Sequence, residues 1–263
     1  MCGWTSPTPG TGSSVVPVLR RVAVLCAVKQ EIAPLARRLR PPRQALPAPT
    51  GFFSVAGRLH ETELLLCAGG VGPNRAAEAA EALFQKEAPE LLLVAGVAGA
   101  LDPGLPVGAV VAASGVRAGA AWLQPGRVLS VPSGDRVREG ALLCSETILV
   151  DGAAKRAARR EAGEPLPLAV EMETAGAAAV AERCGAPWAA LRAISDGAEE
   201  ALPLDFNRLR EPDGDLSTVR VALAALAQPN VIPGLVRLGR NTSLAAEALA
   251  KYLEFWFRTE NQG

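Results

Sequence analysis

Short, nearly continuous apolar runs alternate with helix-forming segments along most of the chain, and this alternation predicts an α/β protein. Apolar runs typical of strands buried on both faces cover residues 21–28, 90–101 and 188–194. Residues 32–39 and the alanine-rich residues 174–184 have helical composition. Because strands and helices alternate, one domain with helices packed on a central sheet is expected.

Weaker patterns complete the prediction. A hairpin is expected over residues 52–59 and 63–68, with His60 near its turn, and glycines lead from it into a helix over residues 74–86. Further elements are predicted as a strand at 106–113 and helices at 151–162, 217–227 and 242–257. Irregular segments are predicted as a tail over residues 1–20, a proline-rich loop at 41–49, loops around a site at 115–140 and a bridge at 230–240.

Acidic residues follow two of the predicted strands directly. Glu171 and Glu173 come after the short apolar run 168–170, and Asp196 follows the run that ends at Ile194. In open α/β sheets, ligands bind beyond the carboxyl ends of the strands. The spacing alone also fits ordinary surface charges, with two glutamates in the first turn of a helix and an aspartate in a turn.

Composition narrows the functional classes. The chain has 263 residues, of which 49% are hydrophobic, and its formal net charge is zero, which argues against nucleic acid or an anionic membrane as a partner. Five scattered cysteines and one histidine fit a reducing compartment and predict neither a metal site nor a cofactor. No apolar run reaches the roughly 18 residues that span a bilayer, and no signal peptide is recognisable, so a cytoplasmic location is expected.

Three motifs in order resemble the nucleoside phosphorylase superfamily, and most closely its 5'-methylthioadenosine/S-adenosylhomocysteine nucleosidase branch. They are VEMETAGAA with RAISDGAE at residues 170–199, CAVKQE at 26–31, and the glycine-containing segment GVAGAL at 96–101. The resemblance implies a single α/β domain over residues 21–263, with a central mixed, twisted sheet flanked by helices. It also implies a homodimer that takes a small nucleoside.

The resemblance assigns roles to particular residues. Asp196 would protonate the leaving purine, Glu31 would activate water, and Glu173 would hold the ribose hydroxyl groups. The acid role requires that Asp196 keep a proton near neutrality, and Val97, Ile148 and Ile194 are its expected apolar neighbours. The other substrate-binding positions that the resemblance implies are Glu171, Met172, Val97, Ile148, Leu149 and Ser195, with the backbone of Ile148 and Leu149 against the purine.

The predicted reaction is hydrolysis of the N-glycosidic bond of an adenine nucleoside. A phosphorylase of the same fold would use phosphate in place of water, but no arginine-bearing phosphate loop precedes Glu31, and Val97 stands where relatives often carry Ser or Thr. The alternatives are a nucleosidase for a bulkier adenosyl compound, such as a futalosine- or hopanoid-linked nucleoside, and a non-catalytic nucleoside-binding domain.

Overall fold

A mixed β-sheet forms the centre of the computed structural model, which describes residues 19–45, 52–132, 136–209 and 218–260. Most of the predicted tail at residues 1–20 therefore lies outside the described residues. The strands, in chain order, are β1 Arg21–Cys26, β2 Arg40–Ala45, β3 Phe53–Leu59, β4 Thr62–Ala68, β5 Leu91–Ala100, β6 Val110–Ala118, β7 Ala121–Leu123, β8 Val137–Cys144, β9 Ala169–Glu171 and β10 Trp188–Asp196. The helices are α1 Lys29–Arg38, α2 Pro73–Lys86, α3 Gly152–Ala162, α4 Thr174–Arg183, α5 Thr218–Ala227 and α6 Ile232–Glu260.

The strand order is β10-β6-β8-β9-β5-β1-β4-β3-β2, with β7 paired to β6. Because β10 pairs with β5 as well as with β6, strands β5, β10, β6, β8 and β9 close into a ring. Strand β5 runs parallel to β1 on one side and to β10 on the other. The carboxyl ends of β1, β5 and β10 therefore meet at one edge of the sheet, which confirms the predicted α/β architecture with a mixed sheet.

Two hydrophobic cores lie on opposite faces of the sheet. On one face, alanines of α2 and α4 pack against β1, β5 and β10. On the other face, α1 and α6 contribute Ile32, Leu35, Leu253 and Trp256. All nine residues of β10 are buried, because helices cover both of its faces.

The contact between α2 and α4 is very close. A Cβ atom on Gly176 would lie 1.8 Å from the carbonyl oxygen of Pro73. Glycine is therefore required there, and small alanines on both helices allow the approach. This packing brings the start of α2 next to the start of α4, where Glu173 lies.

Two predictions about irregular segments were wrong. Residues 115–140 contribute to β6, β7 and β8 instead of forming only loops. The register shift between Ala113 and Gly115 is a bulge, and the ring of Trp122 covers Gly115 so closely that no Cβ fits there. Residues 41–45 of the expected proline-rich loop belong to β2, an edge strand in which proline is tolerated, while residues 46–49 lie outside the described part.

The C-terminal region also differs from the prediction. The expected bridge at 230–240 and helix at 242–257 form one helix, α6, preceded by a short 3-10 turn at Pro229–Val231. Pro233 lies in its first turn, where a missing N–H costs nothing. Among the described residues no single helix is long and apolar enough to cross a membrane. Arg220–Ala227 and Pro229–Thr259 pass that test only as a pair bent by 108°.

We expect Gly176→Ala to lower the free energy of unfolding by at least about 2 kcal/mol, because the added methyl group meets backbone. Gly239→Ala is the matched control, since a Cβ atom at this position of α6 has no heavy atom within 4 Å. Its higher helix propensity should leave stability unchanged or raise it by up to about 1 kcal/mol. Equal urea midpoints for both variants would contradict the close packing of α2 on α4.

Candidate active site

Glu31 lies at the junction of β1 and α1, at the carboxyl edge of the sheet. Its Oε2 accepts hydrogen bonds from the N–H groups of Ala27 (2.9 Å) and Val28 (3.0 Å), and its Oε1 accepts one from Val97 (2.9 Å). The carboxylate thus folds back from α1 onto β5 and is buried. Burial raises the pKa of Glu31, and the backbone donors and Arg192 only partly oppose that rise.

A buried arginine organises the neighbouring carboxylates. Arg192, inside the apolar strand β10, is fully buried, and its Nη2 donates to Glu171 Oε2 and, at 3.4 Å, to Glu173 Oε2. Glu171 also accepts hydrogen bonds from the N–H groups of Glu173 and Thr174, each 2.9 Å away. The same carboxylate therefore ties together the start of α4 and the guanidinium of β10.

The two glutamates of this cluster differ in their ionisation. Burial alone would raise the pKa of Glu171, but Arg192 and the backbone donors lower it on balance. Burial is the main reason that the pKa of Glu173 is raised to about 7. The nearby charge of Arg192 lowers this pKa, and the charges of Glu171 and Glu31 raise it. Its Oε1 accepts a hydrogen bond from the N–H of Gly72 (3.1 Å), which lies at the start of α2.

Gly96 of β5 gives Glu31 and Arg192 access to the same small region. A Cβ atom on Gly96 would lie 2.7 Å from Arg192 Nη1 and 3.0 Å from Glu31 Oε1. Among the described residues, Arg192 Nη1 and Glu171 Oε1 are buried without a hydrogen-bond partner. A donor and two acidic groups therefore surround this part of β5, which suits an oxygen-bearing ligand.

Asp196, the last residue of β10, lines a cavity of about 90 Å³. Its Oδ1 accepts a hydrogen bond from Ser195 Oγ (2.8 Å) and its Oδ2 one from Lys155 Nζ (2.5 Å). Gly99 of β5 contacts it closely, since a Cβ there would be 3.0 Å from Oδ2. The cavity lining consists of Gly99, Thr147, Ile148, Leu149, Lys155, Val170, Glu171, Met172, Asp196 and Leu202.

The structure brings the predicted residues to one edge of the sheet, in two adjoining groups. Glu171, Met172, Ile148, Leu149 and Asp196 line the cavity. The second group lies alongside it around β5 and Arg192 and consists of Glu31, Val97 and Glu173. Ser195 lies beneath Asp196 and bonds to it and to the carbonyl of Ala98 (3.2 Å).

Two expectations about the surroundings need correction. Asp196 was expected among apolar side chains, but the ammonium group of Lys155 lies against it, and of the three apolar residues named only Ile148 lines the cavity. Asn207 holds both backbone polar groups of Ile148, at 2.9 Å each, so the N–H of Ile148 is already bonded. The N–H of Ile148 is therefore not free for a ligand, whereas its carbonyl oxygen keeps a second lone pair.

Little in the sequence identifies these partners. Arg192 is the single charge in an apolar strand, which indicates a buried ion pair but does not identify its partner. Lys155 is one of several basic residues in an alanine-rich helix, and nothing local separates it from the exposed ones. Among the described residues no three His, Cys, Asp or Glu side chains are arranged to hold a metal ion.

A family model described as the Phosphorylase superfamily matches residues 21–121 and 127–227. A 5'-methylthioadenosine/S-adenosylhomocysteine nucleosidase of Chromohalobacter salexigens is 29% identical over 231 residues, which cover 77% of this chain and 95% of that protein. The nucleosidase of the same name from Glaesserella parasuis is 28% identical over 210 residues, covering 71% and 90%.

Solved structures show the same fold. The 5'-methylthioadenosine/S-adenosylhomocysteine nucleosidase of Neisseria meningitidis, in complex with methylthio-immucillin-A, aligns with a TM-score of 0.68 at 21% identity, over 92% of this chain and all (100%) of that one. Futalosine hydrolase of Helicobacter pylori aligns with a TM-score of 0.66 at 18% identity, over 92% and 98%.

The raised pKa of Glu173 predicts a pH-dependent stability. The folded protein holds the proton of Glu173 up to about pH 7, whereas an unfolded glutamate releases it near pH 4.5. Holding this proton therefore adds to the free energy of unfolding at low pH, and this contribution is lost as the pH rises through about 7. Glu173→Gln does not titrate. Its stability relative to the wild type should therefore rise between pH 5 and pH 8, by on the order of 1–3 kcal/mol.

Urea unfolding at several pH values measures this difference. Glu81→Gln, which removes a half-exposed carboxylate paired with Arg183, is the control and should give a curve parallel to that of the wild type. A parallel curve for Glu173→Gln as well would contradict the account of Glu173.

Proposed function

Since the chain belongs to the phosphorylase superfamily, we propose that it hydrolyses the N-glycosidic bond of a purine nucleoside, with adenine nucleosides such as 5'-methylthioadenosine or S-adenosylhomocysteine as the substrate class. The names of the relatives agree with this reaction. The observation that carries the proposal is the meeting of Glu31, Glu173 and Asp196 around β5, although more than 160 residues separate the first from the last.

Asp196 is the acid of the proposed reaction. Asp196 lines the cavity at the end of β10, and Ile148, Leu149 and Met172 line the same cavity. As the bond from C1' to N9 breaks, its electron pair moves into the purine, and Asp196 gives a proton to the base. Without that proton the base would have to leave as an anion, which is a poor leaving group.

Glu173 suits the ribose. Its carboxyl group is buried and is held by Gly72 N–H and Arg192, so its position is fixed before a ligand binds. An ionised glutamate accepts hydrogen bonds from two neighbouring hydroxyl groups. In this role its negative charge would also favour the positive charge that develops on the ribosyl group, as carboxylates do in glycoside hydrolysis.

Glu31 is the base that activates the nucleophile. Its pKa is raised, so it accepts a proton from water more readily than an ordinary glutamate. Arg192 Nη1 is buried beside it and has no hydrogen-bond partner in the described part of the chain, so it is available as a donor to the same water. In the complete step the water oxygen bonds to C1', its proton goes to Glu31, and the proton of Asp196 leaves with the base.

Water is favoured over phosphate by charge. Three carboxylates, Glu31, Glu171 and Glu173, surround the single guanidinium of Arg192, and all four groups are buried. Above about pH 7, where Glu173 is ionised as well as Glu171, a phosphate dianion would meet net negative charge there, whereas neutral water would not be repelled. Val97 also presents no hydroxyl group to a phosphate oxygen.

The remaining expectations are proposals of the same kind. We propose that residues 21–263 form a single domain. We also propose that the protein is a homodimer and that it is cytoplasmic. Free thiols at Cys26, Cys67 and Cys144 support a reducing compartment. Exposed leucines and valines on α5 and α6 support a second copy as the partner, and light scattering tests the dimer.

We expect Asp196→Asn to lower kcat for base release by about 10²–10⁴, because an amide cannot protonate the purine. Adenine release from 5'-methylthioadenosine is the assay, and near-ultraviolet circular dichroism checks the fold. Asp102→Asn is the control: Asp102 is also ion-paired, with Arg159, but it does not line the cavity. An Asp196→Asn rate within a few-fold of the wild type would remove the acid from the proposal.

The choice between water and phosphate gives a separate prediction. Initial rates should be the same in phosphate buffer and in phosphate-free buffer at matched ionic strength, and the sugar product should be the free ribose derivative. Glu31→Gln should slow both equally, by about 10²–10⁴. A rate that rises with phosphate, together with a ribose 1-phosphate product, would favour the phosphorylase instead.

A further inference from the structure

Lys155 is a buried lysine whose hydrogen bonds all reach the end of β10 or the segment that follows it. It is 1% exposed, and its Nζ donates to Asp196 Oδ2 (2.5 Å), to the carbonyl of Gly197 (2.7 Å) and to the carbonyl of Glu200 (3.2 Å). These three acceptors match the three hydrogens of an ammonium group. Lys155 therefore has no donor left for a ligand.

The first turns of α3 are fastened to the same segment by other contacts. Arg156 pairs with Glu199, and the N–H of Leu202 donates to the carbonyl of Val150 at 2.8 Å. A Cβ on Gly152 would lie 3.0 Å from the Cα of Glu199. Because these contacts already hold the segment, an uncharged donor would be enough for the two carbonyls that Lys155 also meets.

Of the three hydrogen bonds of Lys155, only the one to Asp196 depends on the positive charge of the ammonium group. Burying an ammonium group is costly, and here two carbonyl oxygens and the carboxyl group of Asp196 accept its three hydrogen bonds; the carboxyl group becomes the compensating negative charge once its proton has left. We propose that Lys155 is a positioning residue for the reaction proposed above: it fixes the carboxyl group of Asp196 in the cavity and stabilises the carboxylate that remains when Asp196 gives its proton to the leaving base. This inference rests on the proposed function and extends it.

The proton balance shows where the lysine acts. Asp196 loses one proton to the purine while the C1'–N9 bond breaks, and Lys155 keeps its own three protons throughout. The negative charge that appears on Asp196 is then 2.5 Å from the ammonium nitrogen instead of alone among the apolar side chains of the cavity. Lys155 therefore matters for leaving groups that need a proton and little for those that do not.

Two substrates separate this role from a structural one. The first is 5'-methylthioadenosine, whose adenine must be protonated. The second is 4-nitrophenyl riboside, whose nitrophenolate leaves without a proton. If the wild-type protein does not cleave the second, an N7-methylated purine nucleoside, whose base leaves without protonation at N7, replaces it.

We expect Lys155→Met to lower kcat for 5'-methylthioadenosine by about 10²-fold or more, while kcat for the nitrophenyl riboside stays within about 5-fold. KM for either substrate should change little, because Lys155 has no free donor for the ligand. Lys155→Arg retains the charge and should recover the larger part of the lost rate. Asp196→Asn should show the same selective loss as Lys155→Met.

Arg159→Met is the matched control on the same helix. Arg159 lies one turn beyond Lys155 and is also ion-paired and partly buried, but its partner is Asp102. This variant should leave the ratio of the two rates unchanged. Equal losses on both substrates in Lys155→Met, or no loss on either, would overturn the proposal.

A folding defect in Lys155→Met does not prevent the comparison of the two substrates. If Lys155→Met fails to fold, Lys155→Gln keeps a donor without the charge, and the same ratio of rates decides. Failure of both to fold would overturn the proposal in favour of a purely structural lysine. A wild-type protein that releases no base from any purine nucleoside would instead refute the proposed function, so the two failures are distinguishable.

Discussion

The pairing of Arg192 with buried carboxylates is the interaction on which the arrangement of this edge of the sheet depends. An arginine in the middle of an apolar strand is tolerated only when acidic partners reach it, because an unpaired buried charge is very costly. Glu171 and Glu173 meet that requirement only if β9 ends beside β10 and α4 starts there. Gly96 leaves room for the guanidinium above β5. The close contact of α2 with α4 then places Gly72 N–H on Glu173.

A second buried cation lies on the other side of the cavity. Lys155 holds Asp196 there, while Arg192 holds the two glutamates. The acidic groups of the proposed reaction therefore lie in two different environments. Glu173 and Glu31 share one guanidinium and mutual repulsion, and both have raised pKa values, whereas Asp196 has a private ammonium partner. Different neighbours are a common way for similar carboxyl groups to take different roles in one site.

Strands that are buried on both faces could be predicted well from the sequence, since their apolar runs are nearly unbroken. The same holds for the position of Glu31, Glu173 and Asp196 at the carboxyl edge of the sheet, because each lies at the end of a strand or within five residues after it. The partners of these residues could not be predicted. Lys155 and Asp196 are 41 residues apart, and only the packing of α3 on the segment after β10 brings them together. The prediction was wrong at residues 115–140 and 230–240, which contain glycine and proline but form strands and a helix. A bulge accommodates the glycine and the first turn of a helix accommodates the proline.

The most direct test of the account is the fate of oxygen during turnover. The wild-type protein is incubated with 5'-methylthioadenosine in water enriched in oxygen-18, without phosphate, and the masses of the products are measured by mass spectrometry. The account predicts free adenine and a methylthioribose that carries one heavy oxygen, because water bonds to C1' while the base leaves. An intact nucleoside that remains bound, or a sugar that forms only with added phosphate, would contradict it.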